Sequence, residues 1–210
     1  MIRVLIADDH AVVRKGMRLI ASDNADIDMR GEAGDYGELM RLLRDEECDV
    51  LLLDIGMPGK NGIDILKIVK EQYPKIGVLI LSMYPEDQYA IRALKAGASG
   101  YLTKDSAPDR LVDAIQTIAH GRRYITASLA NMLAAHLADP GDAPPHAQLS
   151  DREYQTMCLI ASGQQLSQIA ETLSLSPKTV SVYRARVLEK MGLKNNSEIT
   201  HYALKNGLVD

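Results

Sequence analysis

The sequence contains no phenylalanine and no tryptophan, and its nine aromatic residues are all tyrosines. Any core must therefore be filled mainly with Leu, Ile, Val, Met and Ala. Cysteine is almost as scarce. Cys48 and Cys158 lie in different halves of the chain, too few for a disulfide framework, so free buried thiols in a reducing cytoplasm are expected. No apolar stretch approaches the roughly 18 residues of a membrane span. The first apolar run follows one basic residue and stops at Asp8, too short for a signal peptide. The turn after that run also lacks the Gly-rich fingerprint of a dinucleotide site, which leaves a dinucleotide without a phosphate cradle. Repeats and low-complexity tracts are missing as well.

What is present is a globular composition, 46% hydrophobic and 25% charged over 210 residues. At roughly 150 residues per domain, that length suits one large domain or two small ones. The net charge of −4 hides an uneven distribution: residues 1–122 carry 16 Lys+Arg against 20 Asp+Glu, whereas residues 178–194 carry five cations and one anion. An acidic half and a locally basic half invite different partners.

The first 120 residues alternate β-rich runs with helical periodicity. Strands are predicted at Arg3–Ala7, Met29–Ala33, Val50–Asp54, Val78–Ser82 and Gly100–Leu102. Between them Val13, Met17 and Ile20, then Ile65, Leu66 and Val69, then Leu111, Ile115 and Ile118 recur at three- and four-residue steps, as one buried helix face requires. Strands alternating with helices imply right-handed crossovers and a parallel sheet, an α/β doubly wound fold of five strands in the order 2-1-3-4-5. A helical stretch around Ser128–Leu137 then runs into a segment, residues 138–145, with three prolines and a glycine, which reads as a linker. Beyond Leu149 every segment reads helical. Ser150 and Glu153 make a capping-box pattern, with Tyr154, Met157, Cys158 and Ala161 as an apolar stripe behind it. The expected division is 1–122, a connector 123–147, and a small all-α domain 148–210.

Two acidic groups sit at the carboxyl ends of predicted strands, Asp8-Asp9 after the first and Asp54 after the third. In a doubly wound sheet these ends flank the switch point where a crevice opens. Three carboxylates in one crevice repel each other unless a cation joins them, and hard oxygen ligands suit Mg²⁺. An aspartate beside Mg²⁺ is placed to accept a phosphoryl group. Gly56 can bring its carbonyl oxygen close to a metal, and Pro58 and Gly59 turn the chain away. Ser82 and Lys104 end or follow the fourth and fifth strands and should reach the same edge, one as a hydroxyl donor and the other as a point charge for a phosphoryl oxygen. His10, beside two aspartates, reads better as a residue at the start of a helix than as a ligand.

The ordered motifs Ile-Ala-Asp-Asp-His, Asp-Ile-Gly-Met-Pro-Gly, Leu-Ser-Met and Gly-Tyr-Leu-Thr-Lys over about residues 1–122 resemble the receiver domain of bacterial two-component response regulators. The resemblance implies that Asp54 takes a phosphoryl group from a histidine kinase. It also implies that Asp9, Asp54 and the Gly56 carbonyl hold Mg²⁺, with Asp8 acting mostly through water, and that Ser82 and Tyr101 form a switch in which Tyr101 turns inward. Asp105 departs from the proline that follows this lysine in many receivers; a cis bond there would be costly without proline.

In the carboxyl-terminal part, helix, Gly163, short helix, Ser176-Pro177 turn and longer helix make a helix-turn-helix pattern. At about 100° per residue, Val180, Tyr183, Val187, Leu188 and Met191 fall toward the core, and Lys178, Ser181, Val182, Ala185, Arg186 and Glu189 fall opposite. Small residues at the centre of an exposed face with cations at its margins suit a major groove. Val182 gains nothing on a solvent face but can touch a thymine methyl. Leu149-Ser150-Asp151-Arg152-Glu153, Ile169-Ala170 and Thr179-Val180-Ser181-Val182-Tyr183-Arg184 resemble the DNA-binding domain of the NarL/LuxR type. By that resemblance Ser181, Val182 and Ala185 face bases, Lys178, Thr179, Arg184 and Arg186 face phosphates, and the last helix, with Ile199, Tyr202 and Ala203, is a dimer contact. Gln165, Leu166, Ser167 and Gln168 depart from the more charged run common before Ile-Ala.

The expectation is a cytoplasmic transcriptional response regulator, not an enzyme, that binds double-stranded DNA and forms a homodimer when phosphorylated or DNA-bound. One rival is a Mg²⁺-dependent phosphatase with an aspartyl-phosphate intermediate. Such enzymes commonly carry a second aspartate two residues after the nucleophile, where this chain has Gly56. Another rival keeps the DNA-binding role without phosphate control.

Overall fold

The computed structural model describes residues 1–57, 60–138 and 144–209. Two compact units, Met1–Ala134 and Ala135–Asp210, make up the chain. The turn expected at Pro58 and Gly59, and residues 139–143 of the predicted linker, lie outside the described residues.

The first unit alternates strands and helices: β1 Ile2–Ala7, α1 Ala11–Ser22, β2 Ile27–Ala33, α2 Tyr36–Asp45, β3 Val50–Asp54, α3 Gly62–Gln72, β4 Gly77–Ser82, α4 Glu86–Lys95, β5 Gly100–Thr103 and α5 Ala107–Ala119. The strands form one parallel sheet in the order β2-β1-β3-β4-β5, as the alternation predicts. β3 is buried at every position, because a parallel sheet covered by helices on both faces tolerates apolar residues on both sides of a central strand. Leu52, Leu79 and Leu81 pack with Met17 and Ala21 of α1 and with Leu111, Ile115 and Ile118 of α5 in one cluster. Burying each such leucine contributes about 1.5–3 kcal/mol.

Register sets the functional edge. Ala7 pairs with Leu53, Asp54 with Leu81, and Ser82 with Thr103, so the residues that end β1, β3, β4 and β5 line up at one rim. α3 begins against that rim, with Asn61 accepting the Ile63 N–H at 2.8 Å. Gly62 is required there: a Cβ would lie 2.3 Å from the Asp54 carbonyl oxygen and 2.6 Å from the Ile55 Cα.

Strand β2 starts at Ile27, two residues before the predicted Met29, because Ile27 pairs with Ile2 in the sheet. After α5 the chain returns to the sheet: Tyr124 bridges Gly100 in parallel, and its N–H reaches the Ser99 carbonyl at 2.8 Å. Helix α6, Ala127–Ala138, follows.

The second unit holds a short 3₁₀ turn, Pro145–Gln148, then α7 Asp151–Ala161, α8 Leu166–Thr172, α9 Pro177–Met191 and α10 Asn196–Lys205. The predicted capping box is present. Ser150 N–H reaches Glu153 Oε2 at 2.8 Å, and the Ser150 hydroxyl accepts the Glu153 N–H at 3.4 Å. α7 packs against α8, α9 and α10 and is buried from Arg152 to Ala161, not only along the stripe predicted for one face. α9 ends at Gly192, whose φ of 65° is a left-handed conformation open to glycine. Among the described residues no helix is long and apolar enough to cross a membrane.

Candidate functional site

The rim gathers the predicted acidic residues. Asp8 and Asp54 are buried beside Lys104, which is 8% exposed. Lys104 Nζ lies 2.7 Å from Asp8 Oδ2 and 3.1 Å from Asp54 Oδ2. The Asp8 contact is an ion pair rather than an aligned hydrogen bond. Asp9 is more open, and His10 Nδ1 lies 2.7 Å from its Oδ1. His10 is the cap position of α1, with no side-chain capping bond, and its backbone N–H reaches Asp8 Oδ1 at 2.8 Å. One ligand atom from each of Asp8, Asp9, His10 and Asp54 falls within 4.8 Å of the others. The structure thus brings His10 into the same cluster, although its role at the helix start is as predicted.

Burial pushes the Asp54 carboxyl up from its ordinary value, the Lys104 ammonium draws it down, and Asp8 adds to the rise; the balance is upward. Burial alone would lower Lys104, but Asp54 and Asp8 outweigh it and hold the ammonium charged. One buried cation against three carboxylates leaves an excess of negative charge, and hard oxygen donors this close fit a divalent cation such as Mg²⁺. Gly56 packs against the same carboxylate, and a Cβ there would lie 3.1 Å from Asp54 Oδ2. Peptide bonds among the described residues are trans, the one after Lys104 included.

Ser82 is buried at the end of β4, and its hydroxyl accepts the Tyr84 N–H at 3.0 Å. Tyr101 on β5 is fully buried and points its hydroxyl at the Tyr84 carbonyl, 2.8 Å away. Burial pushes that hydroxyl's pKa well up, against a hydrogen bond with Ser82 that lowers it. Tyr84 therefore engages both predicted switch residues, one through its N–H and the other through its carbonyl.

On α9, Lys178, Ser181, Val182, Ala185, Arg186 and Glu189 are exposed, as the helical wheel predicts, while of the five residues predicted to face the core Val180 and Val187 are buried and Tyr183, Leu188 and Met191 are half-buried. Val182 is 45% exposed. Thr179 is half-buried, its hydroxyl 2.8 Å from that of Ser176. Arg184 turns toward α10, its Nε 2.5 Å from Asn196 Oδ1. In α8, Gln165 and Gln168 form their own capping box, with Gln165 N–H 2.9 Å from Gln168 Oε1.

Sequence reasoning missed Asn61, Gly62 and Tyr84. Asn61-Gly62 carries a turn signal that could have marked the close approach of α3 to Asp54. The role of Tyr84 had no local signal, since it depends on a residue 17 positions away.

Residues 4–116 match the family described as "Response regulator receiver domain", and residues 147–203 match "Bacterial regulatory proteins, luxR family". The chain is 37% identical to the response regulator UvrY of Escherichia coli, covering 100% of this chain and 97% of that protein. It is 36% identical to the response regulator GacA of Pseudomonas protegens, covering 100% of this chain and 99% of the relative. Its structure resembles RcsB from Salmonella enterica serovar Typhimurium bound to the promoter P1flhDC in the presence of phosphomimetic BeF3⁻. The TM-score is 0.68 at 27% identity, over 96% of this chain and 97% of that one. Both family matches are to regulatory domains and both relatives are response regulators, which favours the regulator over the phosphatase rival. The chain belongs to the DNA-binding response regulators that join a receiver domain to a LuxR-type helix-turn-helix domain.

Proposed function

We propose that Asp54 accepts a phosphoryl group from a sensor histidine kinase and that this modification controls how the carboxyl-terminal domain binds double-stranded DNA. The observation that carries the reading is the buried set of Asp8, Asp54 and Lys104, with the ammonium 2.7 and 3.1 Å from the two carboxylates. In the transfer an Asp54 oxygen bonds to phosphorus as the bond to the kinase histidine breaks. The imidazole nitrogen keeps the electron pair and takes a proton, leaving an acyl phosphate. Lys104 holds a phosphoryl oxygen, and the Ser82 hydroxyl donates a hydrogen bond to another. Asp9, Asp54 and the Gly56 carbonyl would hold Mg²⁺, with Asp8 acting through water. Bound there, Mg²⁺ supplies positive charge against the phosphoryl oxygens.

Phosphorylation then draws Ser82 toward the phosphoryl group with Tyr101 inward behind it, and favours a homodimer on paired half-sites. Ser181, Val182 and Ala185 read bases, while Lys178, Thr179, Arg184 and Arg186 hold phosphates. RcsB, bound to promoter DNA in the presence of phosphomimetic BeF3⁻, supports this reading, as does the exposed cationic face of α9. The working division is a receiver 1–122, a connector 123–147 and a DNA-binding domain 148–210. A chain fed by a kinase and acting on DNA works in the cytoplasm.

A small-molecule phosphodonor with Mg²⁺ should add one phosphoryl group to the wild type and none to Asp54→Asn, as read by intact mass. Stoichiometric labelling of the variant would overturn the assignment.

A further inference from the structure

Thr126 opens α6, the helix that leads out of the receiver sheet. Its hydroxyl accepts the Leu129 N–H at 3.1 Å and its carbonyl accepts the Ala130 N–H at 2.9 Å, the pattern of a helix N-cap. The hydroxyl proton is directed at Glu86, whose two carboxylate oxygens lie 2.7 and 2.9 Å away. Glu86 is itself the first residue of α4. One carboxylate therefore sits at the positive ends of two helices, its own and α6, where the peptide dipoles favour a negative charge.

The two partners are anchored to different parts of the receiver. Glu86 follows Tyr84 by two residues, and Tyr84 is bound to Ser82 through its N–H and to Tyr101 through its carbonyl. Glu86 also acts electrostatically on the Tyr101 hydroxyl, raising its pKa. Thr126, by contrast, follows Tyr124, which is fastened to Ser99 at 2.8 Å and bridges Gly100 at the start of β5. The start of α4 is joined directly to the loop that carries the switch, and the start of α6 is held to the sheet edge.

We propose that the Glu86–Thr126 contact carries the state of the phosphoryl site to α6, with both residues acting as positioning residues; this rests on the function proposed above. The contact accompanies the inward Tyr101. When Tyr101 leaves its place beneath the Tyr84 carbonyl, the loop shifts, Glu86 withdraws from Thr126, and α6 loses its fixed orientation. A phosphoryl group biases an equilibrium only through contacts that differ between its states, and this contact extends that difference to the helix leaving the receiver.

The test measures DNA affinity with and without phosphodonor for full-length wild type, Thr126→Val, Thr126→Ser, Glu86→Ala and the double variant Glu86→Ala/Thr126→Val, with phosphoryl uptake read separately by mass. All should take up one phosphoryl group. The phosphodonor-dependent gain in affinity should shrink about five-fold or more, the low end of ordinary allosteric coupling, in Thr126→Val and in Glu86→Ala. It should survive in Thr126→Ser, and the double variant should lose no more than either single one. Affinity without phosphodonor should stay at the wild-type value. A wild-type gain in both single variants overturns the relay. So does a loss confined to Thr126→Val, which would assign the effect to the α6 cap alone, or a rise in affinity without phosphodonor. A wild type that is phosphorylated but gains no affinity overturns the proposed function together with the relay.

Discussion

Lys104 Nζ lies 3.1 Å from Asp54 Oδ2, and Asp8 holds the same ammonium at 2.7 Å from the other side. A single lysine thus balances two buried carboxylates, and the upward shift at Asp54 shows that the fold tolerates that charge without favouring it. The raised folded-state pKa fixes a sign: the ionised carboxyl costs stability at any pH above that value, and protonation relieves the cost. In metal-free buffer at neutral pH, Asp54→Asn should raise stability by about 1–2 kcal/mol, within the range of single-site effects. The gain should shrink as pH falls through the raised value. Thermal unfolding across a pH series in chelator checks this, and a less stable variant at neutral pH would refute it.

Which parts of this arrangement could be read from the sequence follows from how local their causes are. β3 and β4 announce themselves as unbroken apolar runs, and Asp54, Ser82 and Lys104 stand at strand ends, so the sheet order delivers them to one rim. The start of β2 was not legible, because Ile27 is a strand residue by virtue of its pairing with Ile2. The same holds for the burial of α7 on several faces, which three neighbouring helices impose. Glu86 and Thr126 are 40 residues apart and each looks like an ordinary helix-start residue; only the return of the chain along β5 brings them together.

The exposed face of α9 divides into two kinds of contact. Val182→Ser should relax preference at one base pair by about 1–3 kcal/mol, the scale of a single direct contact. Arg186→Ala should weaken all sequences alike and reduce the salt slope by about 1. Binding-site libraries at several salt concentrations separate the two, and a common profile for both variants would refute the division.

Glu153 ties the start of α7 to α9 through Lys190 Nζ at 2.7 Å. Burial pushes its carboxyl up, but hydrogen bonds from Lys190 and Ser150 outweigh that and leave it below its ordinary value of 4.5. A lowered pKa contributes stability that is complete above the unfolded value and is lost as pH falls through the folded one. Glu153→Gln should therefore destabilise the protein by about 1 kcal/mol at neutral pH, since it weakens charge-assisted hydrogen bonds. The difference from wild type should close below pH 4.5. Denaturant unfolding of the carboxyl-terminal unit at neutral and acidic pH reads this directly; an equal deficit at both would contradict it.

The most direct test of the account is operator affinity at fixed salt for wild type and Asp54→Asn, each with and without a small-molecule phosphodonor and Mg²⁺. Phosphodonor should tighten binding by wild type and leave Asp54→Asn unchanged. A wild type whose affinity does not respond, or a variant that responds equally, would contradict control of DNA binding through Asp54.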